Sequence, residues 1–566
     1  MAITLYNDKV ARRRVPILLS VCCVFLIGLP LWWKATEVYR ADLPADAIRA
    51  WAASKAVLRY PVDVYIEFPP SADQSPEDNG QVVTTLNEAL AHARSNAKPV
   101  ESSDAAGASL PVRFDVHARL LNPEAKPPAG APVVRIRYDP DLTDRPWVHI
   151  RADQRLDLVV ARPPVAATPS VIGPLTEVIT RLYRAQERFA NDRTSNGERP
   201  HPAARRAVRH TRDYQLTFSL FYEEASAAAG TPDWDIEAAL ATHVRPFLRH
   251  VAPLFNFTLD SQVQAFSPLP IQPARDPRGT DSDTSARHTL RAGDLPHFIN
   301  AQDWNLESTE TTRPLLNFIL YVPAPSRTPL EIVTADGHPL PSNAFLLPRW
   351  GGVCIWNRPP TGPPTISDTA TITTAPALDV AALHQPFITF VTQLRNLLGV
   401  PDWSREVIQP LGQAFEVVVE SRLAGSSLTA WEFQLLVAKR STENVAEAAA
   451  TLQSLLNLVD SIPNMVVLDR IESKVTRALD HLRRFEEELD GRRYVTAYAH
   501  AAEALSLAES AFFDPTMLAL LYFPDNHKFG VYMPLFVPAF LPVLMAILKE
   551  VKRRRNLRAA AKTKAE

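Results

Sequence analysis

The chain has 566 residues, 22% of them charged, and a formal net charge of −2 at pH 7. Its mean hydropathy of −0.10 excludes a protein built mostly of membrane spans, although an average over the whole chain conceals one or two of them. The balanced charge gives no reason to expect nucleic acid as a partner.

The first predicted element is a membrane-spanning helix. Residues 15–33 are nineteen positions without a charge, close to the roughly 20 that a helix needs to cross about 30 Å of hydrocarbon. Three arginines precede this run, so a cleaved signal peptide is the alternative. The run ends in Trp32, Trp33 and Lys34, which is typical of an interfacial anchor and not of a cleavage site. We therefore predict an uncleaved helix behind a tail of residues 1–14.

Residues 34–374 are predicted to form an α/β region with a mixed sheet covered by helices. Apolar runs typical of strands alternate here with stretches of helical spacing. The predicted strands are residues 62–68, 112–121, 133–138, 156–160, 214–221, 255–266, 316–322 and 344–356. The predicted helices are residues 82–93, 175–189 and 236–247, with Asp233 or Asp235 as the N-cap of the last one.

Residues 375–524 are predicted to form a helical region. Apolar stripes with charges between them continue almost to the end of this segment. The predicted helices are residues 378–398, 404–423, 428–459, 468–489 and 494–511, and Gly399, Gly425 and Gly491 lie where helix C-caps are expected. The fold class is therefore an α/β region followed by a helical bundle.

A second predicted membrane-spanning helix occupies residues 529–548, twenty positions without a charge. The tail that follows, residues 549–566, has eight lysines and arginines, and the tail before the first span has four. Positive residues beside a span are retained in the cytosol. Both termini are thus predicted to be cytosolic, and the large region between the spans luminal.

Three prolines in the second span recur every four residues, at Pro534, Pro538 and Pro542, so they share one side of the helix. Each proline lacks an N–H and leaves a carbonyl group without its helical partner. An unpaired carbonyl costs several kcal/mol in hydrocarbon, so we predict that this side packs against other membrane helices. The alternative is that the prolines only kink the helix and local adjustments satisfy the carbonyls.

Two short motifs indicate the compartment. Asn256-Phe257-Thr258 is the one glycosylation sequon of the sequence, so we expect a glycan on Asn256. Lys562 and Lys564 lie five and three places from the C-terminus, the spacing of a dilysine retrieval signal of the endoplasmic reticulum (ER). These motifs favour the ER membrane as the location.

The sequence offers little that could perform catalysis. With Cys22 and Cys23 in the first span, Cys354 is the one cysteine between the spans, so an intrachain disulfide is excluded there. Cys354 lacks a recognisable cysteine protease signature, and its apolar neighbours Val353 and Ile355 favour a buried strand residue. We predict that Cys354 is not a nucleophile.

Other candidate groups are equally unconvincing. The densest histidine group lacks the spacing of a zinc site, and no glycine-rich phosphate-binding motif follows a strand, so we predict no cofactor and no metal. These histidines are His201, His210, His243 and His250. Arg349 precedes two glycines and could bind a phosphate group of a partner. The favoured alternative is a turn between two strands with a solvated arginine.

A set of short motifs extends along most of the chain, at residues 28–34, 39–40, 43–44, 235–237, 256–258, 260–262, 295–297, 316–318, 321–323, 343–345, 348–352, 431–432, 443–444, 511–515 and 521–525. In these motifs the chain resembles the PIG-S family of phosphatidylinositol-glycan class S proteins. Residues 71–107 and 268–285 show little resemblance.

The resemblance implies a subunit of the glycosylphosphatidylinositol (GPI) transamidase of the ER membrane. That complex cleaves a C-terminal signal from a proprotein and joins the new end to a GPI lipid. The catalytic cysteine and histidine are then expected in another, caspase-like subunit, and this chain is expected to be an accessory one. The partners would be that subunit and other membrane subunits, with proprotein and GPI lipid as substrates of the complex. The alternative is a luminal enzyme acting on glycolipid, with carboxylates or Arg349 at its site.

Overall fold

A computed structural model describes the chain over residues 16–17, 19–24, 26–28, 30–31, 34, 39–54, 58–69, 76–95, 112–122, 126–127, 131–139, 142, 145–151, 155–161, 169–191, 211–224, 234–269, 271–275, 287–291, 293–295, 313–334, 336–358, 378–400, 409–419, 428–462, 465–519 and 525–562. The chain divides into two compact units. Unit 1 comprises Met1–Ala53, Ala448–Asp480 and Ala504–Glu566, and unit 2 comprises Ser54–Glu447 and His481–Glu503.

The described strands are β1 (Leu58–Glu67), β2 (Val112–Leu120), β3 (Val133–Asp139), β4 (Trp147–Ile150), β5 (Arg155–Ala161), β6 (Asp213–Tyr222), β7 (Asn256–Gln264), β8 (Ala274–Arg275), β9 (His288–Arg291), β10 (Leu315–Val322), β11 (Leu330–Val333), β12 (Ala344–Leu347), β13 (Gly351–Ile355) and β14 (Glu416–Val419).

The described α-helices are α1 (Ala45–Ser54), α2 (Pro76–Ser95), α3 (Pro169–Asn191), α4 (Ile236–Ala239), α5 (Arg245–Val251), α6 (Val380–Leu397), α7 (Gln409–Leu411), α8 (Ala430–Ser461), α9 (Asp469–Asp490), α10 (Tyr494–Phe512), α11 (Pro515–Ala519) and α12 (Asp525–Lys562). A π-helical segment, Leu240–Val244, joins α4 to α5, and Asp235 caps this composite helix by accepting a hydrogen bond from the Ala238 N–H at 3.2 Å. Asp233, the other predicted cap, lies outside the described residues.

Unit 2 contains two mixed sheets and a small third one. The six-stranded sheet has the order β14-β4-β5-β3-β1-β2, the five-stranded sheet β12-β13-β10-β6-β7, and the three-stranded sheet β11-β9-β8. In the first, β4 and β5 are antiparallel, and in the second β12 and β13 are antiparallel. The neighbouring strands β1, β3 and β5 are parallel, and so are β13, β10, β6 and β7.

The five-stranded sheet is covered on both faces, which explains why β6 and β10 are almost continuously apolar. On one face, Phe218 and Phe318 stack on each other and contact Phe390 of α6. On the other face, Ile319 and residues of the small sheet belong to a second buried apolar cluster. The buried aromatic layers therefore fix the central strands between a helical layer and the small sheet.

The mixed α/β class and the helical C-terminal part agree with the sequence prediction, but two predicted elements are wrong. Residues 344–356 were expected as one strand and instead form β12 and β13, separated by a turn at Pro348–Trp350. Residues 404–423 were expected as a helix, whereas the described part contains α7 and the strand β14. The β-branched run Val417–Val419 favours the strand once β4 is available for pairing.

Unit 1 has a helical core. Its buried side chains come from α1, the C-terminal part of α8, the first half of α9 and the last part of α10; they include Ile48, Leu455, Ile471, Val475, Ala508 and Ala511. Among the residues that the structure describes, no helix combines the length and the apolar character that crossing a membrane requires. The spans over residues 15–33 and 529–548 stay predictions.

Candidate functional site

The sequon asparagine lies at an edge of the five-stranded sheet. Asn256 is the first residue of β7, an edge strand, and its side chain is exposed. In the parallel register it pairs with Asp213 of β6, and its Nδ2 donates a hydrogen bond to Asp213 Oδ1 at 2.8 Å. A glycan replaces one of the two amide hydrogens, so the other can still donate to Asp213. The position is therefore compatible with modification.

A groove of about 680 Å³ adjoins this asparagine. Its lining combines arginines with apolar side chains, among them Arg212, Arg249, Leu248 and Phe257. The groove leaves open space beside Asn256. Exposure and space support the predicted glycan, which stays a prediction.

Replacing Asn256 by glutamine is expected to abolish a glycosidase-sensitive gel shift, because the sequence has no second sequon. The measurement is gel mobility of the full chain from microsomes, with and without glycosidase. Thr258→Val is the matched control, since it keeps the asparagine and replaces only the sequon hydroxyl by a methyl group. A shift that persists in either variant would contradict Asn256 as the modified residue.

Cys354 lies in the core, as the sequence predicted. It is buried in β13, between Leu320 of β10 and Ala344 of β12. Burial raises the pKa of its thiol to about 12. Because the thiolate is the nucleophilic form, the folded chain keeps this cysteine unreactive near neutral pH.

The segment Arg349-Trp350-Gly351-Gly352 contains the end of the turn after β12 and the first two residues of β13, and Arg349 is exposed with a φ of 64°. This agrees with the interpretation as a turn with a solvated arginine. The lack of side chains at Gly351 and Gly352 allows close packing within the protein. A Cβ on Gly351 would lie 1.9 Å from the carbonyl oxygen of Asn317, and a Cβ on Gly352 would lie 2.0 Å from Gln393 Oε1.

Two of the four histidines that the sequence groups lie within the described residues. His201 and His210 lie outside the described residues, while His243 belongs to the π-helical segment and His250 to α5. His243 contacts His384, with ring centroids 5.0 Å apart, and burial followed by the proximity of His384 lowers its pKa. Over the described ranges, no three His, Cys, Asp or Glu side chains are placed to hold a metal ion.

The structure contains a buried ion pair that the sequence did not predict. Glu432 of α8 is 3% exposed and pairs with Arg395 of α6. Glu432 also accepts a hydrogen bond from the Thr429 N–H at 2.8 Å, and Thr429 Oγ1 accepts one from the Glu432 N–H at 3.2 Å. Burial raises the pKa of Glu432, and Arg395 and Thr429 counteract this rise. The Thr-x-x-Glu capping box is readable in the sequence, but the partnership with Arg395 is not.

The predicted membrane motifs lie in or beyond α12. Pro534, Pro538 and Pro542 are all inside this helix and exposed. Exposed apolar side chains accompany them, including Val531, Val537, Leu541, Leu544 and Leu548. Lys562 is the last described residue, and Lys564 lies outside the described residues.

The mixed sheets and the long C-terminal helices define a mixed α/β protein, and comparison with known proteins identifies its kind. Residues 19–556 match the family described as PIG-S, phosphatidylinositol-glycan biosynthesis class S protein. The chain belongs to the PIG-S family. It is 31% identical to the GPI-anchor transamidase component PIGS of Rattus norvegicus, over 94% of this chain and 93% of the relative.

Other relatives cover the chain to the same extent. Identity to the GPI-anchor transamidase component PIGS of Homo sapiens is 30%, over 94% of this chain and 93% of the relative. Identity to the GPI transamidase component PIG-S homolog of Schizosaccharomyces pombe is 26%, over 94% of this chain and 83% of the relative. The similarity thus includes nearly the whole chain.

Proposed function

We propose that this chain is a non-catalytic subunit of the GPI transamidase complex, which attaches GPI anchors to proproteins. The observation that carries the proposal is the match to GPI transamidase components over 94% of the chain. The buried thiol of Cys354, whose pKa burial raises to about 12, supports a non-catalytic role, because a cysteine nucleophile must ionise. The chain would act in assembly, stability or substrate presentation.

The proposed location is the ER membrane, with two spans over residues 15–33 and 529–548, cytosolic termini and a luminal region between them. The proposed partners are a caspase-like catalytic subunit and further membrane subunits, while proprotein and GPI lipid are substrates of the complex. Uncharged runs with basic flanks support the two spans. Lys562 and Lys564 are proposed as the retrieval signal.

Affinity purification from detergent-solubilised ER membranes tests the function. We expect stoichiometric recovery of a caspase-like subunit and other membrane proteins. The purified chain alone should not turn over a GPI-like lipid. Turnover by the isolated chain, without partners, would contradict the proposal and favour a glycolipid enzyme instead.

Replacing Cys354 by serine is expected to leave GPI anchoring largely intact. A buried hydroxyl without a partner costs roughly 1 to 3 kcal/mol, so a moderate loss of stability is expected. The measurement is surface display of a GPI-anchored reporter in cells that depend on the variant. Cys354→Ala controls for the added hydroxyl. Complete loss of anchoring with normal abundance and assembly would contradict a non-catalytic role.

The proline side of α12 is proposed to pack against other membrane subunits. Photo-crosslinkers at Val531 and Leu541, beside the prolines, should label partner subunits, because protein must cover the unpaired carbonyls there. Crosslinkers at Phe536 and Phe540 on the opposite side are the controls, and these two rings contact each other in the structure. Equal labelling from both sides would remove the proline side as an assembly surface.

A further inference from the structure

Within unit 1, the segment that follows the first predicted span is fixed to residues 459–469. The Ala41 N–H donates to the Val467 carbonyl at 2.9 Å, and the Val467 N–H donates to the Tyr39 carbonyl at 3.3 Å. The Tyr39 hydroxyl donates a hydrogen bond to Asp469 in the first turn of α9. Backbone and side-chain bonds together hold this short segment in place.

The segment that leads to the second predicted span is fixed to the same helix. Asp514 follows α10, and its side chain is only 4% exposed. It forms ion pairs with Arg470 at 2.6 Å and with Lys474 at 3.2 Å. Although burial alone would raise the pKa of Asp514, hydrogen bonds from Arg470, Thr516 and Lys474 hold it below its usual range.

Asp469, Arg470 and Lys474 therefore form a clasp in the first two turns of α9. Asp469 holds the chain after the first predicted span, and the next residue, Arg470, holds the chain before the second. Five residues lie between Trp33 and Tyr39, so six steps along the chain give a reach of about 20 Å at most. The clasp consequently lies within a short distance of the first predicted membrane boundary.

The surface at the clasp has the composition of a membrane interface. Tyr39 is 56% exposed and Phe513 is 62% exposed. The Arg470 and Lys474 side chains are 51% and 28% exposed, so both present cationic groups at this surface although they pair with Asp514. Aromatic rings and snorkelling cations are favoured at the boundary between lipid and water. The two segments at the clasp continue into the apolar runs of the predicted spans. This surface is therefore suited to contact with lipid.

We propose that the α9 clasp holds the two membrane spans side by side and that this end of unit 1 rests on the luminal lipid surface. The proposal rests on the two-span topology given under Proposed function. It assigns a mechanical role to Asp469, Arg470 and Asp514: they bring together chain segments that are more than four hundred residues apart in sequence.

Cysteine cross-linking of the full chain in microsomes tests the pairing. In a background without Cys22, Cys23 and Cys354, one cysteine replaces Lys34 and a second replaces Asn526, His527 or Lys528 in turn. A protease site inserted within residues 276–286 lets the two halves separate on a denaturing gel unless a short bis-maleimide joins them. We expect the halves to stay joined for at least one pair, and failure for every pair would overturn the proposal.

The clasp variants make the test specific. Asp469→Ala with Asp514→Ala should lower the cross-linking yield roughly tenfold, because hydrogen bonds to charged groups are lost at both ends. Tyr39→Phe with Asp514→Asn tests the same contacts with minimal change of volume if the alanine variant folds poorly. Glu487→Ala, which removes an exposed ion pair of α9, is the control and should leave the yield unchanged. Unchanged yield in folded clasp variants would contradict the role of these residues.

Lipid contact is measured separately on the full chain in nanodiscs that contain spin-labelled lipid. A fluorophore on Phe513→Cys should be quenched several-fold more than one on Ser506→Cys, an exposed position two turns earlier in α10. Equal quenching at both positions would overturn the lipid contact. Protease digestion of sealed microsomes checks the topology independently, because both cytosolic tails should be cleaved while the luminal region stays protected. A protected luminal region without cross-linking or quenching would refute the clasp alone, whereas an unprotected one would refute the topology as well.

Discussion

Replacing Gly351 by alanine is expected to destabilise the α/β part by about 3 kcal/mol or more. The added Cβ would lie 1.9 Å from the carbonyl oxygen and 2.8 Å from the carbonyl carbon of Asn317, which belongs to the central strand β10. These are backbone atoms, so no rotamer change relieves the clash. The φ of 150° is itself a conformation that side chains disfavour. The measurement is thermal unfolding of the detergent-solubilised full chain, together with its abundance in microsomes.

Gly352→Ala is the matched control in the next position. Its Cβ would lie 2.0 Å from Oε1 of Gln393, the far end of a side chain and not a backbone atom. Gln393→Ala should therefore recover part of the loss in a double variant with Gly352→Ala, but none of the loss caused by Gly351→Ala. A Gly351→Ala variant that unfolds at the wild-type temperature would contradict the close approach of β13 to β10.

Local sequence patterns predicted the elements that apolar runs define, such as β6 and β10, and those that amphipathic spacing defines, such as α9. They failed where tertiary pairing decides. Val417–Val419 becomes a strand because β4 supplies hydrogen-bond partners, which the local helical spacing could not reveal. Residues 344–356 divide into two strands because the chain reverses at residues 348–350, where Arg349 has a φ of 64°, and β13 then pairs with both β12 and β10.

The same limit applies to the functional residues. Cys354 could be predicted as a buried strand residue from its neighbours alone, and the turn at Arg349 from its glycines. The contact of Tyr39 with Asp469 joins residues 430 positions apart, and no local pattern indicates it. Asn256 was readable as a sequon, whereas the adjoining groove depends on how α5 packs beside β7.

Replacing Glu432 by alanine is expected to destabilise unit 2 by about 3 to 5 kcal/mol, because it removes the carboxylate that pairs with the largely buried charge of Arg395. It also removes the acceptor for the Thr429 N–H at the start of α8. Glu432→Gln separates the two effects, since glutamine can still cap the helix but carries no charge. The difference between the two variants should be about 1 kcal/mol, the usual contribution of a helix cap.

Denaturant unfolding of the full chain in detergent measures these losses, with Glu487→Ala as the matched control. Glu487 also pairs with an arginine on a helix, but the two side chains are 58% and 65% exposed, so its loss should cost no more than about 0.5 kcal/mol. Adding Arg395→Met to Glu432→Gln should restore much of the stability, because the buried charge disappears together with its partner. If Glu432→Ala cost as little as Glu487→Ala, solvent would have to reach Arg395, and the ion pair could not be part of a closed core.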